Sequence, residues 1–361
     1  MYLAVLNGIF ILRALAPPSR AYAYQLYWIV LIFLFVFSAF RFRVGCDWFG
    51  YYNNYAEGTT LDYADAIQKG EPLWWVIQVA FYRAGISFPW VNVLTSAIFF
   101  FGIHAFARRQ PDRLGFLVLL FPVLIINMPM SGIRQGAAIG LFCLSMLAFI
   151  DQRPLRFVAW ILLASTIHSS ILVFLALTPL TLGEVSKTRL IMTGLLALPA
   201  IFLISQTDAL ESSVERYGTT AFSIGLEAFG AVYRVTIVSL TGLYFLLMLQ
   251  KSWARQFPKD FGLAIVGSLL MVSVILALPV SSIVADRYAY YLIPIQVMIF
   301  ARIPYLKLGH TRKLQAAVPY IGLLLVFAVW TRTSSLFYSC YVPYTSWLFG
   351  YPEGTRPFPF E

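Results

Sequence analysis

Five short stretches of this 361-residue chain carry the side chains able to do chemistry, and arginine recurs through them. The first is Arg41-Phe42-Arg43-Val44-Gly45-Cys46-Asp47-Trp48, followed by Tyr51, Tyr52 and Tyr55. The second, Glu71-Pro72-Leu73-Trp74-Trp75, opens a short amphipathic run, and the third runs from Asn127 through Ser131-Gly132-Ile133-Arg134-Gln135 to Gly136. The fourth is His168 with Ser165, Thr166, Ser169 and Ser170 around it, and the fifth is Ala285-Asp286-Arg287-Tyr288. Arginine presents a planar, permanently charged fork that matches phosphate oxygens. A nearby aspartate or histidine can accept a proton. Together these side chains suit a substrate with a lipid tail in the bilayer and an anionic head outside, whose departing pyrophosphate an arginine could stabilise.

Each stretch also has a plain structural reading. Arg41 and Arg43 could snorkel to an interface among aromatic rings. Gly45 permits a tight turn that aims Asp47 back toward the membrane. Glu71-Pro72 is an ordinary helix start, with an acid beside a proline at the first helical position. Arg134 opens an otherwise apolar helix, which is costly unless the charge is matched; a helix N-terminus favours anions, so phosphate is a natural partner. Small residues after it (Gly136, Ala137, Ala138, Gly140) allow close helix packing. His168 could be a satisfied core histidine. His104 and His310 read as structural, and Arg216 with Tyr217, and Arg234, are weaker candidates.

The elements that position these residues must lie in a membrane. Hydrophobic residues make up 60% of the chain, charged ones 12%, and mean hydropathy is +0.77. Soluble domains carry about 25% charged residues, so the bilayer is the solvent here. Apolar runs at 2–15, 22–40, 88–107, 114–128, 135–150, 190–205, 230–250, 261–280, 288–303 and 316–330 predict an all-α protein of about ten to twelve crossings. Met1 leads directly into an apolar run without a basic leader or a small-residue cleavage site, so the first segment is expected to be retained as a span. Residues 71–84 are too short and amphipathic for a span and read as an interfacial or re-entrant helix.

Basic residues fix the orientation. Sixteen of the 26 Lys and Arg, but only four of the 16 Asp and Glu, fall in the loops around Arg13 and Arg20; Arg108 to Arg113; Arg153 and Arg156; Glu184 to Arg189; Lys251 to Asp260; and Arg302 to Lys313. These loops carry +12 and the remainder of the chain −2, which puts them in the cytoplasm. Alternation then works with both termini outside if 157–182 is a re-entrant hairpin with His168 near its tip. The other possibility is a single long crossing. The five polar stretches gather on the outer side. The +10 net charge thus reflects topology, and nucleic acid is not implied. Residues 1–330 form one membrane domain, and 331–361, rich in Tyr, Phe and Pro, should lie flat at the outer interface.

Cys143 reads as a small core residue, and unpaired thiols are the favoured reading for Cys46 and Cys340, which could join only if both share the outer face. No metal-ligand spacing appears.

On these motifs the chain resembles the EpsG-like branch of the Wzy-type polysaccharide polymerases. The resemblance rests on Arg41-x-Arg43-Val44-Gly45-x-Asp47-x-x-x-Tyr51, Glu71-Pro72, Arg134-Gln135, His168-Ser169-Ser170 and Asp286-Arg287-Tyr288, in order over most of the chain. It implies a glycosyltransferase of GT-C-like architecture in the bacterial cytoplasmic (inner) membrane, its active site facing the periplasm. Such an enzyme joins undecaprenyl-diphosphate-linked repeat units, with the lipid diphosphate as leaving group and neither metal nor cofactor. The implied partners are the lipid-linked donor and acceptor, the bilayer and a chain-length regulator, with no nucleic acid. On this reading Arg43, Arg134 and Arg287 bind diphosphate and Asp47 or His168 is the base. Arg41, Tyr51, Glu71, Trp74, Gln135 and Asp286 contact substrate, Tyr51 and Trp74 by stacking on sugar rings.

Two other classes remain in view. A transporter or flippase predicts repeated halves with broken helices at the midplane; no repeat is visible. A membrane O-acyltransferase would also use an intramembrane histidine, but no matching motif is present.

Overall fold

A computed structural model of the chain describes residues 1–15, 20–183, 185–205, 224–279 and 281–352. Arg20 and Ala21, residues 197–205 and residues 224–229 are described in backbone only. Arg216, Tyr217 and Glu184 lie outside the described residues, as does the end of the tail. Among the described residues the structure is helical, and the one bridge outside helices pairs Arg41 with Ser346.

Six helical stretches are long and apolar enough to cross a membrane: Tyr22–Ala39, Pro89–Ala107, Ile133–Ile150, Gly230–Gln256, Pro258–Ala277 and Gly309–Thr333. Each coincides with an expected run. Three other expected runs are helical but fall short of a full apolar span: Tyr2–Leu15 and Arg113–Ile125 are too short, and Ser282–Arg302 carries Asp286 and Arg287. The run at 190–205 lies in the 19-residue helix Lys187–Ser205. Burial separates the spans. Ile133–Ile150 is 83% buried within the protein and Gly309–Thr333 only 28%; the first is a core helix and the second offers most of its surface outward.

Two compact units make up the fold. The first comprises Met1–Cys143, Leu163–Ser169 and Ala317–Glu361, and the second Leu144–Leu162 and Ser170–Ala316. In the first unit, α1 (Tyr2–Leu15) and α2 (Arg20–Ala39) pack on α7 (Arg113–Leu120), and α2 also packs on α6 (Pro89–Ala107). Helix α6 crosses α8 (Ile133–Ile150) at glycines. A Cβ on Gly102 would stand 1.8 Å from the Gly140 carbonyl oxygen, so only hydrogen fits there. Three short helices, α3 (Trp48–Gly58), α4 (Tyr63–Gln68) and α5 (Pro72–Arg83), form a cluster with α5 against both others. The amphipathic stretch at 71–84 is this last helix, and it is too short to span.

In the second unit, α11 (Ile224–Tyr244), α13 (Phe261–Val274) and α14 (Ser282–Arg302) pack mutually. The intervening elements are α9 (Pro154–Ser165), α10 (Lys187–Ser205) and α12 (Gln250–Gln256). Residues 157–182 are broken in the middle. Helix α9 stops at Ser165, and a 3₁₀ helix runs from Ser169 to Leu182. His168 lies in the break, and residues 163–169 group with the first unit while both flanks group with the second.

After α15 (Arg312–Thr333), the tail packs on the Arg41 loop through α16 (Ser335–Tyr341) and the residues that follow it. Amides of Phe42 and Gly45 donate to the carbonyls of Thr345 (3.0 Å) and Cys340 (2.7 Å), and Trp347 N–H donates to Phe40 O (3.0 Å). Trp347 is buried between Phe40 and Trp90. Aromatic richness fits either an interface or a core; the unpaired amides of the 40–45 loop decide it, because buried N–H groups must find acceptors. A disulfide joins Cys46 to Cys340, against the expectation of free thiols. Cys143 is free and buried.

Candidate functional site

The Arg41–Trp48 loop is built from inside. Arg41 is fully buried, and its guanidinium donates to the carbonyls of Val44 (2.9 Å), Met130 (2.8 Å) and Ser38 (3.2 Å). It therefore acts as the loop's internal scaffold, not as the substrate contact read from sequence. Gly45 has φ +102°, and a Cβ there would lie 1.8 Å from the Met130 carbonyl oxygen, so glycine is required on both counts. These contacts hold the loop against residues 128–131. Asp47, exposed, accepts a hydrogen bond from Ser131 Oγ at 3.0 Å. Arg43, also exposed, has φ +55° and lies over the ring of its neighbour Phe42.

Three residues on from Ser131, Arg134 leaves the start of α8 and meets Glu71 at the start of α5. Arg134 Nη1 lies 2.6 Å from Glu71 Oε2. The other carboxylate oxygen, Oε1, takes three contacts from the break at 166–169: His168 Nδ1 at 3.0 Å, Ser169 N–H at 2.8 Å and Ser169 Oγ at 3.2 Å. Trp74 N–H reinforces the junction by donating to Thr166 O at 3.2 Å. One carboxylate thus holds an arginine on one oxygen and a histidine on the other. Its side chain is only 11% exposed, so both interactions act in a medium of low polarity, where they are stronger than in water.

Glu71 itself is strained. Its backbone is left-handed, φ 67° and ψ 59°, which costs an L-residue about 1–2 kcal/mol. A residue before proline is further biased toward extended backbone. Among the described residues the other two non-glycine residues of positive φ are Arg43 and Gln152; Gln152 lies just past the end of α8, where a left-handed residue is an ordinary helix stop. Strain at Glu71 persists because Arg134, His168 and Ser169 all bind its carboxylate. Burial favours its neutral form but is outweighed by the hydrogen bond and charge of His168, by Arg134 and by the Ser169 amide. The net result holds its pKa at about 2.

Tyr51 and Trp74 do not offer faces to a sugar. Trp74 is fully buried and Tyr51 nearly so, in an aromatic core with Trp48, Tyr55 and Phe88. Position 74 falls on the inward face of α5, so its ring packs. Both rings instead floor the site: the Arg134 guanidinium carbon lies 5.5 Å from the Tyr51 centroid and 5.6 Å from that of Trp74. Burial raises the Tyr51 pKa, with Arg134 drawing it down and Asp47 pushing it up, so Asp47 and Arg134 flank the same phenol. Gln135 is buried on α8.

Asp286 and Arg287 stand on α14 in the second unit. Asp286 pairs with Arg234 of α11, not with its neighbour, through Nε–Oδ1 (2.8 Å) and Nη2–Oδ2 (2.7 Å), and Arg234 lies over Tyr290. Arg234 was the weaker candidate by sequence; its fork is what makes the pair two-pointed. Among the described residues no three His, Cys, Asp or Glu side chains come together as a metal site. His104 packs on Trp28 and contacts Tyr27, consistent with a structural histidine.

What the site can do follows from the carboxylate. When a neutral His168 donates its Nδ1–H hydrogen bond to Glu71, Nε2 carries the lone pair and can take a proton from a hydroxyl. Arg134, held beside it, can balance negative charge on a phosphate. All three residues stand out in the sequence, but the central place of Glu71 does not, because a Glu-Pro pair looks the same at any helix start.

The profile of the EpsG family matches residues 24–346 of the chain, nearly its whole length. Searches of curated proteins and of solved structures find no match.

Proposed function

The chain belongs to the EpsG family, and on that footing we propose that it polymerises lipid-linked oligosaccharide repeat units, as a Wzy-type glycosyltransferase, on the outer side of the bacterial cytoplasmic membrane. The observation that carries the reading is Glu71 gripping Arg134 and His168 with its two oxygens. An acceptor sugar hydroxyl gives its proton to His168 Nε2 as its oxygen bonds to the donor's anomeric carbon. The bond from that carbon to the diphosphate breaks, and undecaprenyl diphosphate leaves with the electron pair. Arg134 meets the growing negative charge, the point at which a preorganised cation accelerates a reaction most. The histidine returns its proton to the departing lipid diphosphate or to water. Of the two base candidates, His168 is favoured over Asp47 because it alone has a buried carboxylate behind it. Arg43 and Arg287 remain candidates for diphosphate.

Two features support an outward-facing site. The charge partition puts the basic loops inside. The disulfide between Cys46 and Cys340 belongs in an oxidising compartment, and Cys46 is next to Asp47. The proposal includes ten to twelve crossings, which requires the shorter apolar helices to cross as well, and a GT-C-like arrangement of them. A chain-length regulator in the same membrane is the expected protein partner.

The test is to incubate the purified protein with a defined lipid-linked repeat unit and size the glycans. A ladder of multiples is expected from the wild type, and only the starting unit from His168→Ala. A wild type that forms no ladder, yet moves the lipid-linked unit across liposome bilayers, would replace this reading with that of a flippase.

A further inference from the structure

Two basic segments about fifty residues apart in sequence meet in the second unit. One is 250–260, with Lys251, Arg255 and Lys259; the other is 303–315, with Lys307, Arg312 and Lys313. Lys307 N–H donates to Ser252 Oγ at 3.1 Å, and the Ser252 hydroxyl is directed back to Lys307 O. Tyr244 at the end of α11 donates to Gln315 at 2.6 Å, tying the start of α15 to the same place. All six cations are exposed.

The one acid in these segments, Asp260, cannot offset them. It is buried, 2.5 Å from Arg302, which is 1% exposed and covered by Trp253 and Phe257. That inward pair neutralises itself and braces the segments from below. What faces outward is six positive charges with no acid from either segment among them.

The surroundings indicate what these charges meet. Leu247 and Met248, one turn before Lys251, are 69% and 68% exposed, and Leu314, next to Lys313, is 68% exposed. All three lie on helical stretches apolar enough to span a membrane. Exposed aliphatic residues on such a helix face acyl chains, so the cations at its end sit at the depth of headgroups. A soluble acidic partner would need no aliphatic flank of this kind.

We propose that this patch is a binding site for anionic phospholipid, with phosphodiester headgroups held by Lys251, Arg255, Lys307 and Lys313 and acyl chains against Leu247, Met248 and Leu314. Basic clusters at the cytoplasmic ends of membrane helices attract anionic lipid in this way. The proposal is independent of the reaction assigned to the first unit.

The test uses the full chain in nanodiscs of equal phosphatidylglycerol and phosphatidylcholine, with retained lipids counted by native mass spectrometry. The wild type should keep phosphatidylglycerol over phosphatidylcholine by about tenfold, and about 1 M salt should erase much of the preference. Removing four charges (Lys251→Gln, Arg255→Gln, Lys307→Gln, Lys313→Gln) should abolish it. Keeping the charge (Lys251→Arg, Lys307→Arg, Lys313→Arg) should preserve it, as should Arg153→Gln with Arg156→Gln in another basic loop. If the fourfold variant fails to insert, Lys251→Gln with Lys307→Gln should still show a reduced preference. Equal retention of both lipids by the wild type, an equal loss in the Arg153/Arg156 control, or displacement by millimolar inorganic phosphate would overturn the proposal.

Discussion

The site turns on one carboxylate. Glu71 binds the residue that would hold the leaving group and the residue that would take the proton, so removing its charge should harm both steps. We expect His168→Ala to lower polymerisation at least about 100-fold, the scale of a lost general base. Glu71→Gln, which keeps the shape, should cost nearly as much, whereas Asp47→Asn should cost less. Equal losses at Asp47 and His168, measured as turnover per folded molecule, would reopen the choice of base. The same carboxylate links stability to pH. Its pKa, about 2 against an ordinary 4.5, means that its stabilising contribution is complete above about pH 4.5 and drains away as pH falls toward 2. That contribution is on the order of 3 kcal/mol. Thermal unfolding in detergent should show an acid-side fall in this window that Glu71→Gln removes; an identical fall in the variant would contradict the linkage. The chemical types at this site were legible in the sequence, since Arg134, His168 and Glu71 stood out as polar groups in apolar surroundings. Their mutual contact was not, because it joins positions 63 and 97 residues apart through a left-handed residue that no local pattern announces. Tyr51 and Trp74 misled for a related reason: aromatic rings that stack on sugars and rings that fill a core are the same residues, and only burial tells them apart.

At the scale of elements, the loop that carries Arg43 and Asp47 is shaped by what lies beneath it. Arg41 pins it to the carbonyl of Met130, Gly45 lets it approach, and the tail closes its remaining amides. Gly45→Ala combines a left-handed backbone with a Cβ 1.8 Å from a carbonyl oxygen. It should therefore destabilise the protein by several kcal/mol, beyond the usual 0.5–3 kcal/mol of a point substitution. Gly350→Ala provides the comparison: it also has positive φ but nothing near its Cβ, so it should cost only the backbone term. If the two variants melt alike, the packing of the loop on residues 128–131 is not what requires glycine. The apolar helices were readable from sequence, because a run of 18 or more apolar residues has few alternatives. The tail was not, since its destination depends on amides some 300 residues earlier in the chain. The disulfide was hidden likewise: its two cysteines are 294 residues apart, and connectivity over that distance leaves no local trace.

For the whole molecule, the basic loops and the candidate site should lie on opposite sides of one membrane. Reporters active in the cytoplasm should work at positions near 110, 153, 255 and 310, and outer-side reporters near 55 and 345. An outer-side signal near 110 or 310 would invert the scheme and move the disulfide into a reducing compartment. The role proposed for Arg134, meeting a departing diphosphate, can be measured as polymerisation per folded molecule, with purified Arg134→Ala and Arg134→Lys in detergent and a defined lipid-linked repeat unit. Losing one preorganised donor costs about 100-fold or more, and lysine keeps the charge without the fork. The account therefore predicts a fall of at least about 100-fold for alanine and partial recovery for lysine. Arg109→Ala, in a basic loop, should stay close to the wild type. A folded Arg134→Ala protein that builds glycan at the wild-type rate would contradict the claim and leave the Glu71 ion pair as a structural brace.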